Sequence, residues 1–242
     1  MSMDNKRILF LTGANGQIGQ SIYKKLSNKF EIFNLDISFT KDQVDSHNIN
    51  IDISDMSQVR DLYQSINPDL VINNAGLSVF TSFMDRAEDE LDSIYNVNLK
   101  GTINMINCFA QVNKENKKPK NIINIASLYG IVSADPRIYT DCNRNSPEIY
   151  AATKAGIIQL TKYYCVHLRD MNIRVNCVSP GGIYNPESPQ GDDFIKHYSD
   201  RCPMGKMGSA ENIADGVNFL SSHESSYING HNLVIDGGFT AW

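Results

Sequence analysis

Short apolar runs of strand length alternate with stretches of helical period along nearly the whole chain. That alternation marks a parallel sheet wrapped by helices, because buried parallel strands are apolar throughout and each crossover carries a helix back across the sheet. In order, the pattern predicts strands over Arg7–Thr12, Phe30–Leu35, Asn48–Ile51, Asp69–Asn74, Asn121–Ala126, Arg174–Val178 and Asn232–Ile235, with helices in most of the gaps. Seven strands joined by right-handed crossovers form an α/β, doubly wound Rossmann-type fold with helices on both faces. No repeat, low-complexity tract or linker divides the chain, so one domain over residues 1–242 is expected. Two long loops, Ser133–Pro147 and Tyr184–Cys202, interrupt the alternation, and loops of that length are often pocket walls or lids. Inside the second, Asp192–Arg201 reads as a short amphipathic lid helix.

Charge and cysteine usage narrow the function classes. With 22 basic and 27 acidic residues the formal charge is −5, which offers no field for nucleic acid or an anionic membrane surface. The expected partners are a small-molecule substrate and copies of the chain itself. No apolar run approaches membrane-spanning length, and the first one meets a glycine turn at once, unlike a signal peptide. Cys108, Cys142, Cys165, Cys177 and Cys202 lack paired spacing, which argues against a zinc site or disulfide framework and for a cytoplasmic protein without a metal. The basic cluster Lys114–Lys120 is expected to be a solvated helix end.

Directly after the first strand comes Thr12-Gly13-Ala14-Asn15-Gly16-Gln17-Ile18-Gly19, a glycine-rich turn opening a helix. Such a turn points unpaired backbone N–H groups at an anion and lets a pyrophosphate approach the backbone. Asp36 ends the second strand, twenty-three residues after Gly13, where a carboxylate accepts hydrogen bonds from adenosine ribose hydroxyls. It would repel a 2′-phosphate, and neither Ile37 nor the glycine turn supplies a rescuing cation, so NAD is expected in preference to NADP. Asp52 and Ile53, after the third strand, are placed to flank an adenine ring, or to cap the next helix.

Tyr150 and Lys154 lie four apart in a strongly helical stretch, so both side chains share one face. An unperturbed phenol titrates near ~10, too high for efficient proton exchange at neutral pH, and a nearby ammonium is expected to lower it. In chain order the glycine turn is followed by Asn73-Asn74-Ala75-Gly76, Asn96-Val97-Asn98-Leu99-Lys100-Gly101, Ser127, Tyr150 with Lys154, Arg174-Val175-Asn176, Pro180-Gly181-Gly182 and Asp236-Gly237-Gly238. With these pieces the chain resembles the compact, single-domain branch of the short-chain dehydrogenase/reductase family over essentially residues 7 to 240.

The resemblance implies catalytic roles for Asn98, Ser127, Tyr150 and Lys154. Ser127 would bind the substrate oxygen, Tyr150 would exchange its proton, Lys154 would hold the nicotinamide ribose, and Asn98 would position a relay water. It also implies NAD contacts from Gly13, Asn15, Gln17, Ile18, Asp36, Asp52, Ile53, Asn74, Ala75 and Gly76, and from Pro180, Gly181 and Ile183 at the carboxamide end. A homo-oligomer, tetramer or dimer, is common in the family, and the apolar ending Phe239-Thr240-Ala241-Trp242 is expected at a subunit interface.

The sequence departs from the family pattern in places. Gly13, Gly16 and Gly19 have the spacing of the larger, sugar-nucleotide-modifying branch, with Gln17 where the compact branch has a glycine. Yet only 62 residues follow Pro180, too few for that branch's separate substrate domain. Asn185 replaces a threonine after the Pro-Gly turn. Ser127 and Tyr150 are unusually far apart, and the extra segment carries Arg137, Tyr139 and Arg144. Tyr139 has Asn143 four residues on, where the pattern requires lysine, so Tyr150 keeps the catalytic role. Tyr129, Arg137, Arg144 and His197 are the candidate substrate contacts, and the arginines suggest a hydroxylated or anionic substrate such as a sugar derivative. The insertion and the Gly-Phe-Thr-Ala-Trp ending resemble a subgroup linked to bacterial surface-sugar and flagellin-glycan modification. The leading expectation is NAD(H)-dependent interconversion of a secondary alcohol and a ketone. A cofactor-retaining epimerase or dehydratase and a non-catalytic dinucleotide sensor are the alternatives.

Overall fold

The computed structural model describes residues 6–116, 118–140 and 146–242. Seven parallel strands, β1 (Arg7–Thr12), β2 (Phe30–Leu35), β3 (Asn48–Ile49), β4 (Leu70–Asn73), β5 (Lys120–Ile125), β6 (Ile173–Pro180) and β7 (Asn232–Ile235), pair in the order β3-β2-β1-β4-β5-β6-β7. The helices are α1 (Gln17–Leu26), α2 (Met56–Ser65), α3 (Glu88–Tyr95), α4 (Thr102–Val112), α5 (Glu148–His167), α6 (Asp192–Arg201) and α7 (Ala210–Ser221). This is the expected doubly wound Rossmann-type sheet. β3 ends two residues early because the Asn50 side chain donates to the carbonyls of Ile37 and Phe39 (2.9 and 2.7 Å). β6 runs to Pro180, further than expected, because β7 continues the pairing with Ser179 opposite Val234 and Pro180 opposite Ile235.

The two-residue period of the strands sorts the core into two layers. In β1, Phe10 faces Val59 and Tyr63 of α2 and Met105 and Phe109 of α4, while Leu9 and Leu11 join Ile22 and Leu26 of α1 and Ile213, Val217 and Leu220 of α7. Each such side chain contributes about 1.5–3 kcal/mol on burial, which fixes the helices to their faces. A chain of amide and hydroxyl groups crosses this core: Asn73 donates to Asn124 (2.8 Å), and Asn124 donates to Thr161 of α5 (3.0 Å). Lys120 is not part of a solvated helix end. It starts β5, is buried, and its ammonium donates to the Pro68 carbonyl (2.7 Å) and faces Asp69 (3.3 Å), while burial pulls its pKa down.

Strand order reverses between β1 and β4, and that is where the carboxyl ends of a doubly wound sheet open into a crevice. A third, smaller core of Leu128, Ile138, Phe194, Tyr198, Cys202 and Phe239 joins the segment after β5, α6 and the chain's end beside that crevice.

Candidate active site

The crevice begins as a cavity of about 800 Å³ lined by the glycine turn, the ends of β2 and β4, and the loop after β3. Two glycines are required there. Gly13 has φ +63°, and a side chain on it would meet the Ala75 backbone at 2.7 Å, whereas a side chain on Gly19 would lie 2.2 Å from the Gly13 carbonyl oxygen. The glycines therefore let α1 start hard against the turn, leaving its first N–H groups facing the cavity. Gln17 does not crowd this space, because its amide reaches across to donate to the Tyr184 carbonyl (2.7 Å).

Asp36 lies in the cavity wall. One carboxylate oxygen accepts from the Asn15 N–H (2.9 Å), and the other accepts from the Ser38 N–H and hydroxyl (2.9 and 2.7 Å), so it also organises the glycine turn. Asp52 and Ile53 line the same cavity, and Asp52 additionally accepts from Ser54 N–H (2.8 Å) as a turn cap. Asn15, Gln17, Ile18, Asn74, Ala75 and Gly76 complete this wall, with Asn74 donating to the Gly13 carbonyl (2.8 Å). No lysine or arginine is among the lining residues, while Asp36 and Asp52 are. The glycine cradle and the volume fit a dinucleotide.

An adjoining cavity of about 310 Å³ brings Ile18, Asn74 and Gly76 together with Ser127, Tyr150, Lys154, Pro180, Gly181 and Ile183. Ser127 follows β5, and its hydroxyl accepts from the Tyr129 N–H (3.1 Å). Lys154 is buried on α5 one turn beyond Tyr150, donates to the Ile125 carbonyl (2.9 Å), and stands 5.5 Å from the Tyr150 ring centre. Burial drives the Lys154 ammonium down to about 8.

The expected lowering of the Tyr150 phenol by Lys154 is not what the structure shows. Burial pushes the phenol above its ordinary value, hydrogen bonding with Ser127 offsets part of the rise, and Tyr139 nearby adds to it. Asn98 sits in a π-helical turn, Asn96–Gly101, where its side chain accepts from Leu77 N–H (2.7 Å) and donates to Leu77 carbonyl (2.9 Å) and Thr153 hydroxyl (3.3 Å). It thus ties the loop after β4 to α5.

Beyond Ser127 and Tyr150 the cleft continues into a cavity of about 220 Å³. Among the described residues its wall carries no charge and combines the aromatic Phe80, Tyr129, Tyr139, Phe194 and Tyr198 with the apolar Leu128, Ile183 and Met207 and the polar Ser78, Ser146 and Gln190. Tyr129 is in this wall, but Arg137 and His197 are not. Arg137 turns outward, 85% exposed, and forms a two-point ion pair with Asp135 (2.9 and 2.7 Å), the residue that caps its own turn. The His197 ring meets Thr140 (3.2 Å) on the outer side of α6. Arg144 lies outside the described residues.

Sequence reasoning singled out the polar face of α6 and missed its apolar one. Phe194 and Tyr198, four apart, are the buried pair that enters the pocket, and helical spacing of the two aromatics was the signal. Tyr198 also reaches the turn after β6, where its hydroxyl accepts from the Gly182 N–H (2.5 Å). Trp242, expected at a subunit interface, is 68% exposed on the single chain, and its indole donates to the Arg201 carbonyl (3.1 Å). Among the described residues no three His, Cys, Asp or Glu side chains gather as metal ligands, and no helix is long and apolar enough to cross a membrane.

Residues 36–240 match the family described as Enoyl-(Acyl carrier protein) reductase. The 3-oxoacyl-acyl-carrier-protein reductase FabG of Chlamydia trachomatis is 34% identical over 93% of this chain and 84% of its own, and that of Thermotoga maritima 31% over 81% and 77%. Among solved structures, a short-chain dehydrogenase from Leptospira borgpetersenii with bound NAD+ is 40% identical, with TM-score 0.88 over 98% of this chain and 93% of the other. A 4-hydroxyisoleucine dehydrogenase complexed with NADH is 28% identical, with TM-score 0.84 over 98% and 100%. A putative 2-deoxy-d-gluconate 3-dehydrogenase from Agrobacterium tumefaciens with bound NADP is 26% identical, with TM-score 0.83 over 99% and 98%. By sequence and by fold alike, the chain belongs to the short-chain dehydrogenase/reductase family of oxidoreductases.

Proposed function

We propose that the chain is a single NAD-binding domain that interconverts a secondary alcohol and a ketone on a compact, uncharged substrate, in the cytoplasm and as a homo-oligomer. The observation that carries this reading is the run of three adjoining cavities along the carboxyl edge of the sheet, from the glycine turn past Ser127 and Tyr150 into the aromatic pocket, each sharing lining residues with the next. Gly13, Asn15, Gln17, Ile18, Asp36, Asp52, Ile53, Asn74, Ala75 and Gly76 would hold the adenosine and pyrophosphate portions, with Pro180, Gly181, Ile183, Tyr150 and Lys154 around the nicotinamide end. Bound NAD(H) supplies or accepts the hydride. Asp36 and the lack of a lysine or arginine in that wall favour NAD over NADP.

The chain's own part is to hold the substrate oxygen and move a proton. Ser127 fixes the oxygen, and Tyr150, kept protonated at neutral pH by its raised pKa, donates from its hydroxyl as the alcohol forms. The Lys154 ammonium, still charged below about 8, stabilises the phenolate left behind. A sugar derivative loses its physical argument, since Arg137 is engaged with Asp135 away from the pocket. The pocket's volume also lies below the about 300–1,000 Å³ usual for larger ligands, which disfavours a sugar nucleotide.

The test is Tyr150→Phe. Loss of the acid should lower kcat for ketone reduction by about 10²–10⁴-fold, with NADH affinity, read by fluorescence titration, unchanged within twofold. Retained turnover removes the mechanism. In the same titration NADPH should bind at least tenfold more weakly than NADH.

A further inference from the structure

Resting on the alcohol–ketone reading, we propose that Arg86 is a positioning residue for the reaction: its guanidinium latches the loop after β4, which carries part of the pocket wall, to the first turn of α5, which carries Tyr150. The Arg86 side chain is 1% exposed although it comes from a loop. Its Nε and Nη2 donate to the two carboxylate oxygens of Glu148 (3.1 and 3.3 Å), and Nη2 also donates to the Thr81 carbonyl (2.6 Å). Glu148 opens α5 two residues before Tyr150, and Thr81 directly follows Phe80. One planar fork therefore reaches both the helix of the acid and the strip of chain that lines the pocket through Ser78 and Phe80.

Both partners of the fork gain from such a tie. α5 follows Pro147, whose ring offers no acceptor to the free N–H groups of the first turn, whereas α2 follows Asp55, which accepts from the Ser57 N–H (2.8 Å). Glu148 gives the uncapped turn an anchor. The loop is fastened at its near end already, where Leu77 exchanges two hydrogen bonds with Asn98 and Asn98 donates to Thr153 of α5 (3.3 Å). Arg86 fastens the far end to the same helix, and the Thr81 hydroxyl steadies it further by donating to Glu90 (2.6 Å) in the first turn of α3. Between the two ties Phe83 and Met84 are exposed, so apolar burial does little to hold this stretch. A buried guanidinium loses in desolvation much of what it gains in attraction, which makes the pair a weak stabiliser. What the fork does supply is a fixed distance between Tyr150 and the pocket wall, so that a ketone seated in the pocket meets the phenol.

The test uses the full-length protein with NADH and three compact, uncharged ketones: butanone, acetoin and cyclohexanone. Two variants are compared with wild type on the best of the three, Arg86→Met and, at an exposed position where the fold should stand, Glu148→Ala. In each, kcat should fall about tenfold and KM rise severalfold, as a small misplacement of the acid predicts, while NADH affinity stays within about twofold. The double variant should be no worse than Arg86→Met alone, because each residue acts through the other. Hydrogen exchange should show the amides of residues 77–86 and 148–151 opening together in both single variants, with α1 and the glycine turn unchanged. Additive losses in the double variant would overturn the proposal. So would unaltered exchange at 148–151, or a loss in Arg86→Met that follows its melting temperature while Glu148→Ala behaves as wild type, either of which would make the arginine merely structural. Turnover of none of the three ketones by wild type, with NADH bound normally, would remove the alcohol–ketone reading and this role with it, whatever the exchange shows.

Discussion

The two ends of the cleft are built by different means. On the cofactor side the wall is fixed by backbone contacts that certain residues alone permit: Gly13 N–H donates to the Leu35 carbonyl (2.8 Å), Asn15 N–H to Asp36, and α1 begins against a carbonyl that leaves no room for a side chain at Gly19. On the substrate side the wall is mostly side chain, gathered from the loop after β4, the segment after β5 and α6, and backed by Phe239 at the chain's end. Backbone geometry tolerates few residues, whereas side-chain packing has many solutions. The first end should therefore fail sharply on small changes, and the second should retune.

The largest effect should come from a single methyl group on the cofactor side. In Gly19→Ala the new carbon would sit 2.2 Å from the Gly13 oxygen, so the turn must move, at about 1–3 kcal/mol of stability and with roughly hundredfold weaker NADH binding. Gly16→Ala meets nothing closer than 3.4 Å and should bind NADH within a few-fold of wild type. Thermal unfolding and fluorescence titration of the pair give the answer. Equal behaviour of the two variants would break the claim that this end is set by backbone contact.

A second effect, about tenfold per pH unit, belongs to the junction between the ends. Lys154 titrates near 8 because it is buried, so the rate of ketone reduction should be level below that pH and fall above it as the ammonium loses its proton. Stability runs the other way. An unfolded lysine titrates near about 10.4, so between pH 8 and that value the unfolded chain binds the extra proton, and the Lys154 contribution to stability rises with pH. Wild type should accordingly gain stability relative to Lys154→Met as the pH rises from 8 to 10, while its reduction rate drops. A rate that falls only where wild type unfolds would dissociate the pH profile from Lys154.

The same division explains what the sequence made legible. The glycine turn, Asp36, Ser127, Tyr150 and Lys154 could be placed because strand periodicity and helix spacing are local, and local spacing positions residues at the carboxyl ends of β1, β2 and β5 and on one face of α5. The substrate side escaped because its members meet only through tertiary packing. Arg137 looked like a ligand hand until Asp135, two residues before it, took both ends of the guanidinium, and His197 and Tyr198 are neighbours in sequence that face opposite ways on α6. The sign of the Tyr150 shift escaped for the same reason, since burial is a property of the assembled fold.

The smallest effect tests whether the chain's end takes part in the substrate side. Arg201, the last residue of α6, lies over both the Phe239 and Trp242 rings at 5.3 and 5.7 Å, and donates to the Trp242 carbonyl (2.9 Å) while the indole donates back to Arg201. This clasp holds the far end of the helix whose other residues, Phe194 and Tyr198, form the pocket. Because Trp242 is exposed, its cation–π contact contributes only about 0.5–1 kcal/mol. Trp242→Ala should therefore raise the ketone KM by roughly two- to fivefold through looser α6 packing, leaving the NADH affinity and kcat as they were. Were NADH binding to weaken in step with the ketone, Tyr198 and its bond to Gly182 would be transmitting the change, and the two ends of the cleft would be one mechanical unit.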